Sequence, residues 1–344
     1  MARDRQFLSC DWGTTSFRLR WVTGPDATVV REARNAEGVR AVHGRLEADS
    51  APAVRNAAFE RVLADGIRQL SESGGPVPPG IPVVISGMAS SSVGWRELPF
   101  APTPCALDGS GLRVESMGRV EVDGAAFPVW MVSGLSTGRD MMRGEETELL
   151  GVASLPEVAA VTSGCLVILP GTHSKHVRVE GGLIVDARTH MTGEVLEALA
   201  NHTLLRVSVT WPLPVLDEGL DSEARRKALE EGVIAARDYG WAGALFQVRV
   251  RTVLGGVGTD ANAWFLAGLM LGTEAVDLLR WDRRLPIVLA GGAPFSAAYR
   301  AVFETLELSD RLTVIPPSRL AHATVRAHAL LLERIDPTHE RSTI

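Results

Sequence analysis

The sequence predicts an α/β protein of two domains, and three observations carry that prediction. Two apolar runs, residues 7–10 and 166–169, each lead into a corner containing Gly-Thr, after which an extended segment turns back; a tight β-hairpin reads this way. Short β-branched runs such as 83–85 follow helical stretches and Pro/Gly clusters, which is the βαβ rhythm of a parallel sheet. At 344 residues the chain is too long for one small core.

The first hairpin spans residues 7–22, with Asp11 at its tip and Gly13, Thr14 and Thr15 in the corner. Gly13 admits close approach of a ligand to the backbone, and the amides and hydroxyls of Thr14 and Thr15 suit phosphate oxygens. Asp11 would then face a Mg²⁺ ion held by the same phosphates, because this hard cation takes oxygen ligands and shares them with a nucleotide. Taken alone, the motif more often means an ordinary glycine turn.

Residues 28–33 read as a third strand, so a meander precedes any helix. Ser50 caps a helix in which Val54, Ala58, Val62 and Leu70 recur at near-helical spacing, and the Gly/Pro cluster 74–82 closes it. After the buried strand 83–85, the loop 86–100 carries hydroxyls, two aromatics and a charge pair where α/β proteins hold ligands. Its serines serve equally well as helix caps. Residues 101–123 read as short strands and turns, 129–132 as a strand and 134–138 as a loop. The segment 139–151 brings three carboxylates and an arginine to the start of a helix; acids in a first turn complement the helix dipole without any catalysis.

The second corner repeats the first. Residues 166–169 form a strand, Pro170-Gly171-Thr172-His173-Ser174-Lys175 turns, and 177–179 returns. Gly171 gives approach, Thr172 and Ser174 give donors, and Lys175 a cation. His173 and His176 lack a third ligand at suitable spacing, so a polar loop role is expected for them rather than a metal site. The meander continues over 184–189, a helix runs over 192–205, a loop covers 216–223, and 224–239 is expected as a charged, exposed helix. Residues 246–250 read as extended, and 255–258 as a break. The helix 260–279 is apolar around most of its face and should be buried between layers, with Gly268 and Gly272 admitting another backbone or a flat ligand. Residues 287–294 are strand, diglycine and helix start; Gly291 and Gly292 fit either a tight turn or a nucleoside lying on bare backbone. A last strand covers 312–315, and Ser318 caps a closing helix to about 334.

A net charge of −6 without any basic block excludes a nucleic-acid surface but not a small anionic substrate. No stretch approaches the roughly 20 apolar residues that span a bilayer, and residues 1–5 enter a strand without a signal-peptide core, so a cytoplasmic enzyme is the default. The three cysteines are widely spaced, and Cys10 and Cys165 lie in apolar runs, as small buried hydrophobes do.

Two hairpins with Gly-Thr corners, one in each half, plus a late diglycine strand resemble the fold shared by sugar kinases, hexokinase, actin and the heat-shock chaperone ATPases. More narrowly, Asp11-Trp12-Gly13-Thr14-Thr15, Gly94-Trp95, Met142-Arg143-Gly144-Glu145-Glu146-Thr147, Leu169-Pro170-Gly171-Thr172-His173-Ser174-Lys175 and Met191-Thr192-Gly193-Glu194 closely resemble the 2-dehydro-3-deoxygalactonokinase family, over about residues 7–334. Ser16 stands where many relatives are expected to have asparagine, His176 where tryptophan is expected, and Ser90-Ser91-Ser92 in place of a Gly-Ser-polar sequence.

The resemblance implies two actin-like (ribonuclease H-like) α/β domains, 1–143 and 144–344, with an interdomain active-site cleft and a C-terminal helix free to pack back on the first domain. It implies transfer of the ATP γ-phosphoryl group to the 6-hydroxyl of 2-dehydro-3-deoxy-D-galactonate, a step of galactonate breakdown. In that reading Asp11 serves the Mg²⁺ ion; Gly13, Thr14, Thr15, Gly171, Thr172, Ser174 and Lys175 serve the phosphates; Gly291 and Gly292 serve adenosine. Ser91, Trp95, Glu97 and Arg143 serve the sugar acid. Glu145 is the favoured base, from the likeness of residues 144–151 to the Gly-Asp-x-x-x-x-x-Gly segment of carbohydrate kinases, with Glu146 and Asp140 in reserve. A kinase for another sugar acid or sugar would keep the nucleotide loops and change only 90–97. A non-enzymatic actin-like ATPase is opposed by the lack of a C-terminal client-binding domain and by the carboxylate-rich segment after Arg143. Partners are ATP and a small molecule, not nucleic acid or membrane, and homo-oligomerisation is left open.

Overall fold

A computed structural model describes residues 6–47, 50–213, 220 and 222–335; the expectations for 1–5, 216–219 and 221 fall outside them. The chain divides into two compact units: Met1–Ala159 with Leu183–Val185 and Ala321–Ile344, and Ala160–Gly182 with Asp186–Leu320.

The first unit opens on the expected meander, β1 (Gln6–Trp12), β2 (Phe17–Thr23) and β3 (Thr28–Asn35). α1 (Val39–His43) and α2 (Pro52–Glu72) follow, then β4 (Val83–Gly87), which is buried throughout and pairs parallel with β1. Two-residue strands β5 (Ala101–Pro102) and β6 (Cys105–Ala106) lead to β7 (Val114–Val122) and β8 (Ala125–Val132), an antiparallel hairpin. β7 is longer than the short strands read over 101–123; its half-exposed, charged sequence hides the period. The main sheet runs β3-β2-β1-β4-β8-β7. β9 (Leu135–Ser136) and β10 (Met141–Met142) add a small sheet with β5. α3 (Glu145–Ala153) starts six residues later than Arg139, and α4 (Pro156–Ala159) ends the segment.

The second unit repeats the plan with β11 (Gly164–Leu169), β12 (Ser174–Glu180) and β13 (Leu183–His190), then α5 (Thr192–His202). α6 (Glu223–Ala244), α7 (Gln247–Val253) and α8 (Thr259–Trp281) precede β14 (Ile287–Leu289), α9 (Ala293–Thr305), β15 (Leu312–Val314) and α10 (Pro317–Leu320). The order β15-β14-β11-β12-β13 mirrors β8-β4-β1-β2-β3, with the same parallel and antiparallel pairings from β8, β4, β1 and β2 onto β15, β14, β11 and β12.

Three expectations for this unit are corrected. Residues 246–250 are helical in α7, because their alternating apolar positions cover one buried contact, Val248, and leave Phe246 and Val250 exposed. α6 is not a solvated helix: Ala228, Leu229, Gly232, Val233 and Ala236 form a small-residue face buried against α8. Gly268 serves this contact, since a Cβ there would lie 2.0 Å from the Leu229 carbonyl oxygen. Ser318 lies within α10 rather than capping the last helix, α11 (Ala323–Leu332), which begins after His322.

α11 belongs with the first unit and packs on α3 and β1. Ser9 on β1 and His328 on α11 meet at 2.8 Å, Oγ to Nδ1, with both side chains buried. All three cysteines are buried free thiols. Burial, then the nearby Arg20 charge, pushes the His328 pKa down to about 3. The unfolded chain therefore takes up a proton that the folded one refuses, so this site's stabilisation is complete above about pH 6.5 and is lost as pH falls toward 3. We expect urea unfolding to show a loss of about 2 kcal/mol at pH 5 from this group, and His328→Asn to flatten that slope; an unchanged slope contradicts the assignment.

Candidate active site

In the first unit the corner after β1 is closed by the Gly13 amide, which donates to the Ser16 carbonyl at 2.9 Å. That amide is therefore spent and does not reach a ligand, contrary to a simple clip. The carbonyls of Gly13 and Thr14 accept from Val39 and Arg40, each at 3.0 Å, using amides that the start of α1 leaves without helical partners. This contact needs Gly38, where a Cβ would sit 2.3 Å from the Thr15 carbonyl carbon. Trp12 Nε1 donates to the Glu37 carbonyl at 2.9 Å and holds the same turn. With its carbonyls occupied, the corner turns Thr14 and Thr15 outward, Thr15 being exposed. At Gly13 itself a Cβ would meet nothing nearer than 3.5 Å, so internal packing does not demand the glycine.

Carboxyl groups gather beside this corner. Asp11 ends β1, opposite Arg18 at 3.9 Å. Burial raises its pKa, opposed first by Arg18 and then by Arg20. α3 begins where Gly144 lies against Gly87 at the end of β4, and Gly87 in turn lies against Trp12 of β1. Glu145 and Glu148 lie three apart on α3, on one side of the helix, and the Glu148 pKa is pushed up to about 7 by burial, then by Asp11, then by Glu145. Such a group of like charges favours either a shared proton or a bound cation. Among the described residues no three His, Cys, Asp or Glu side chains are spaced to enclose a metal ion.

The other polar residues around the α3 start have partners within the protein, as has Glu145, whose carboxylate accepts from the Arg143 amide at 2.9 Å. Glu146 is fully buried; its carboxylate accepts from the Gly144 amide at 2.7 Å and the Thr147 hydroxyl at 3.0 Å, and burial pushes its pKa up to about 8. The Asp140 carboxylate accepts from the Met141 amide at 2.7 Å in a turn. Arg143 is anchored by Nη1 on the Ser90 hydroxyl at 2.8 Å and stacks over Phe100 at 4.2 Å. Burial lowers its pKa, opposed by Glu146 and Glu97; Glu97 itself is exposed.

In the second unit the hairpin β11–β12 turns at residues 170–173, with Thr172 and His173 exposed and open space at Gly171, where a Cβ would meet nothing nearer than 3.9 Å. The start of α5 braces this corner as α1 braces the other: Gly193 donates to the Thr172 carbonyl at 3.1 Å, and a Cβ on Gly193 would lie 2.8 Å from Thr172 Cα. His173 Nε2 and Glu194 meet at 2.6 Å. Gly291 packs on Pro170, where a Cβ would approach its ring to 2.8 Å, and Gly292 is the exposed N-cap of α9. Ser174 and Lys175 are turned inward, to Tyr299 at 2.8 Å and Thr189 at 2.7 Å. Both are buried at the start of β12, on opposite faces of the strand, so neither stands at the open side of the corner.

The model of the 2-keto-3-deoxy-galactonokinase family matches residues 11–325, a span that contains both corners and the α3 carboxylates. The chain belongs to this family. A probable 2-dehydro-3-deoxygalactonokinase of Rhizobium meliloti (strain 1021) is 31% identical over 310 residues, covering 89% of this chain and 91% of that one. The 2-dehydro-3-deoxygalactonokinase of Escherichia coli (strain K12) is 29% identical over 307 residues, 88% and 90% of the two chains. A crystal structure of a putative 2-dehydro-3-deoxygalactonokinase from Sinorhizobium meliloti superposes with a TM-score of 0.75 at 27% identity, covering 95% of this chain and 99% of that one. The α/β fold of actin-like and sugar-kinase type expected from the corners is borne out. No helix among the described residues is long and apolar enough to cross a membrane.

Two sugar-side expectations for this galactonokinase-family chain change. Trp95 is not a pocket wall: it is 3% exposed, stacks on Phe59 at 6.3 Å and meets Trp12 edge-on at 6.3 Å. Ser91 is buried and spends its hydroxyl on the Met88 carbonyl at 2.7 Å. His176, read as a loop residue, is buried on β12 against Glu274 at 3.1 Å. Sequence reasoning missed Glu148, whose signal was its i, i+3 spacing from Glu145, and Arg18, whose signal was its place opposite Asp11 across the hairpin. If Trp95 is core, Trp95→Ala costs about 3–5 kcal/mol of stability in chemical denaturation and leaves the acceptor KM of the folded fraction unchanged; a raised acceptor KM with full stability reverses the assignment.

Proposed function

We propose that the protein is an ATP-dependent kinase that phosphorylates the 6-hydroxyl of 2-dehydro-3-deoxy-D-galactonate. The observation that carries the reading is the meeting of Asp11, Glu145 and Glu148 beside an open Gly-Thr-Thr corner. Phosphoryl transfer asks a protein mainly for positioning and charge neutralisation, with one group to orient or deprotonate the hydroxyl.

In this reading Thr14 and Thr15, and on the second corner Gly171 and Thr172, donate to phosphate oxygens, and Arg18 adds positive charge beside the first corner. Asp11 and Glu148 would hold a Mg²⁺ ion, which neutralises phosphate charge when bound with the nucleotide. Glu145, in the first turn of α3, takes the proton of the acceptor hydroxyl. Arg143, fixed by Ser90 and Phe100, presents its remaining N–H groups to the acceptor carboxylate. Gly292, exposed at the start of α9, leaves bare backbone for adenosine, with Gly291 packed behind it on Pro170. Ser174 and Lys175 act from behind the corner rather than on it, and the sugar acid is left to Arg143 and Glu97.

Coupled ATP turnover with several 2-dehydro-3-deoxy sugar acids at equal concentration tests the substrate; preference for an acid of other stereochemistry overturns that part. For the roles, Glu145→Gln should lower kcat by about 10²–10⁴-fold while both binding constants stay within a few-fold. Asp11→Asn and Glu148→Gln should chiefly raise the Mg²⁺ needed for half-maximal rate. A near-normal Glu145→Gln beside a dead Glu148→Gln at saturating Mg²⁺ moves the base to Glu148.

A further inference from the structure

Behind the second corner lies a buried polar chain that the reaction scheme does not use. Glu274 on α8 is 1% exposed. It receives the Tyr299 hydroxyl of α9 at 2.5 Å and meets His176 of β12 at 3.1 Å. Tyr299 is 1% exposed, and its oxygen also meets the Ser174 hydroxyl at 2.8 Å. Burial works to raise the Glu274 pKa, but hydrogen bonds from His176, Thr192 and Tyr299 overcome it and the carboxyl lies below its ordinary value. Ionised, Glu274 only accepts, so the single Tyr299 proton goes to it. Ser174 must then donate to Tyr299, and its hydroxyl has no proton left for a phosphate.

The space under the corner makes this chain matter. A small cavity of about 20 Å³ under the turn is lined by Gly171, Ser174, Glu274 and Tyr299 together with the apolar Leu196, Ala267 and Leu271. The hydrogen-bonded chain thus reaches the underside of the turn beside an apolar gap. Glu274 draws together β12 through His176 and Ser174, α9 through Tyr299 and the start of α5 through Thr192. These are the three pieces of chain that carry or brace residues 170–173 and the diglycine.

We propose that Glu274 and Tyr299 are positioning residues that fix the second corner for the phosphates of the nucleotide through a one-way hydrogen-bond chain, Ser174 to Tyr299 to Glu274. This rests on reading the second corner as a phosphate site. Tyr299→Phe keeps the ring and removes only the hydroxyl, leaving Ser174 and Glu274 without that partner.

The test is calorimetric binding of ATP, ADP and adenosine to the full chain, with acceptor KM measured alongside. Tyr299→Phe should weaken ATP and ADP about ten-fold and leave adenosine affinity and acceptor KM within two-fold. Ser174→Ala should weaken ATP a few-fold, and the double variant should be no worse than Tyr299→Phe, because both remove one chain. Should Tyr299→Phe fail to fold, Ser174→Ala and Glu274→Gln carry the same comparison. Equal weakening of ATP and adenosine, or none, overturns the proposal. Thr172→Ala separates the two claims: if it leaves ATP affinity intact, the phosphate reading of the corner falls and the proposal with it; if it weakens ATP while Tyr299→Phe does not, only the positioning chain falls.

Discussion

Each Gly-Thr corner is held by the first turn of the helix that follows its meander, and the rest of the candidate site depends on that contact. A hairpin corner has carbonyls to satisfy, and a helix start has amides without partners. In the first unit Val39 and Arg40 give their amides to Gly13 and Thr14; in the second, Gly193 gives its amide to Thr172. Both contacts require the absence of a side chain, at Gly38 and at Gly193. Those corner carbonyls are thereby satisfied within the protein, as is the Gly13 amide of the first corner.

The glycines divide by this logic. At Gly38, Gly193 and Gly291 a Cβ would strike neighbouring chain, so packing alone explains them. At Gly13 and Gly171 a Cβ would find room, and there the missing side chain serves whatever approaches from outside. Carboxyl crowding adds the other half of the chemistry. Asp11, Glu145 and Glu148 belong to a strand end and a helix start that are brought together by Gly87 and Gly144, and burial, with Asp11 and Glu145 adding to it, raises the Glu148 pKa to about 7.

The strands and both corners were legible because apolar runs ending in Gly-Thr leave little choice of local structure. Glu145 was singled out from its motif and Glu148 was not, since the effect of Asp11 on Glu148 joins positions 137 residues apart in sequence. Trp95 and Ser91 read as ligand residues because a loop after a strand end is a usual ligand site; the aromatic cluster with Trp12 and Phe59 that claims Trp95 is assembled from three separate segments. The same limit explains α6, whose buried face sets only Leu229 and Val233 among alanines and a glycine and so carries a weak apolar signature. It also explains His176, whose partner Glu274 lies on another element. Ser174 and Lys175 were placed by type in the corner, whereas β12 starts at Ser174 and is covered on both faces there, so Tyr299 and Thr189 take their polar atoms.

The most direct measurement is the kcat/KM for ATP of Gly38→Ala and Gly193→Ala, with the far-UV spectrum recorded to confirm that each variant is folded. A methyl group at either position forces the helix start away from its corner, so the account predicts that each folded variant loses at least about ten-fold in kcat/KM, as misplaced positioning groups do. Wild-type kcat/KM in both folded variants would contradict it.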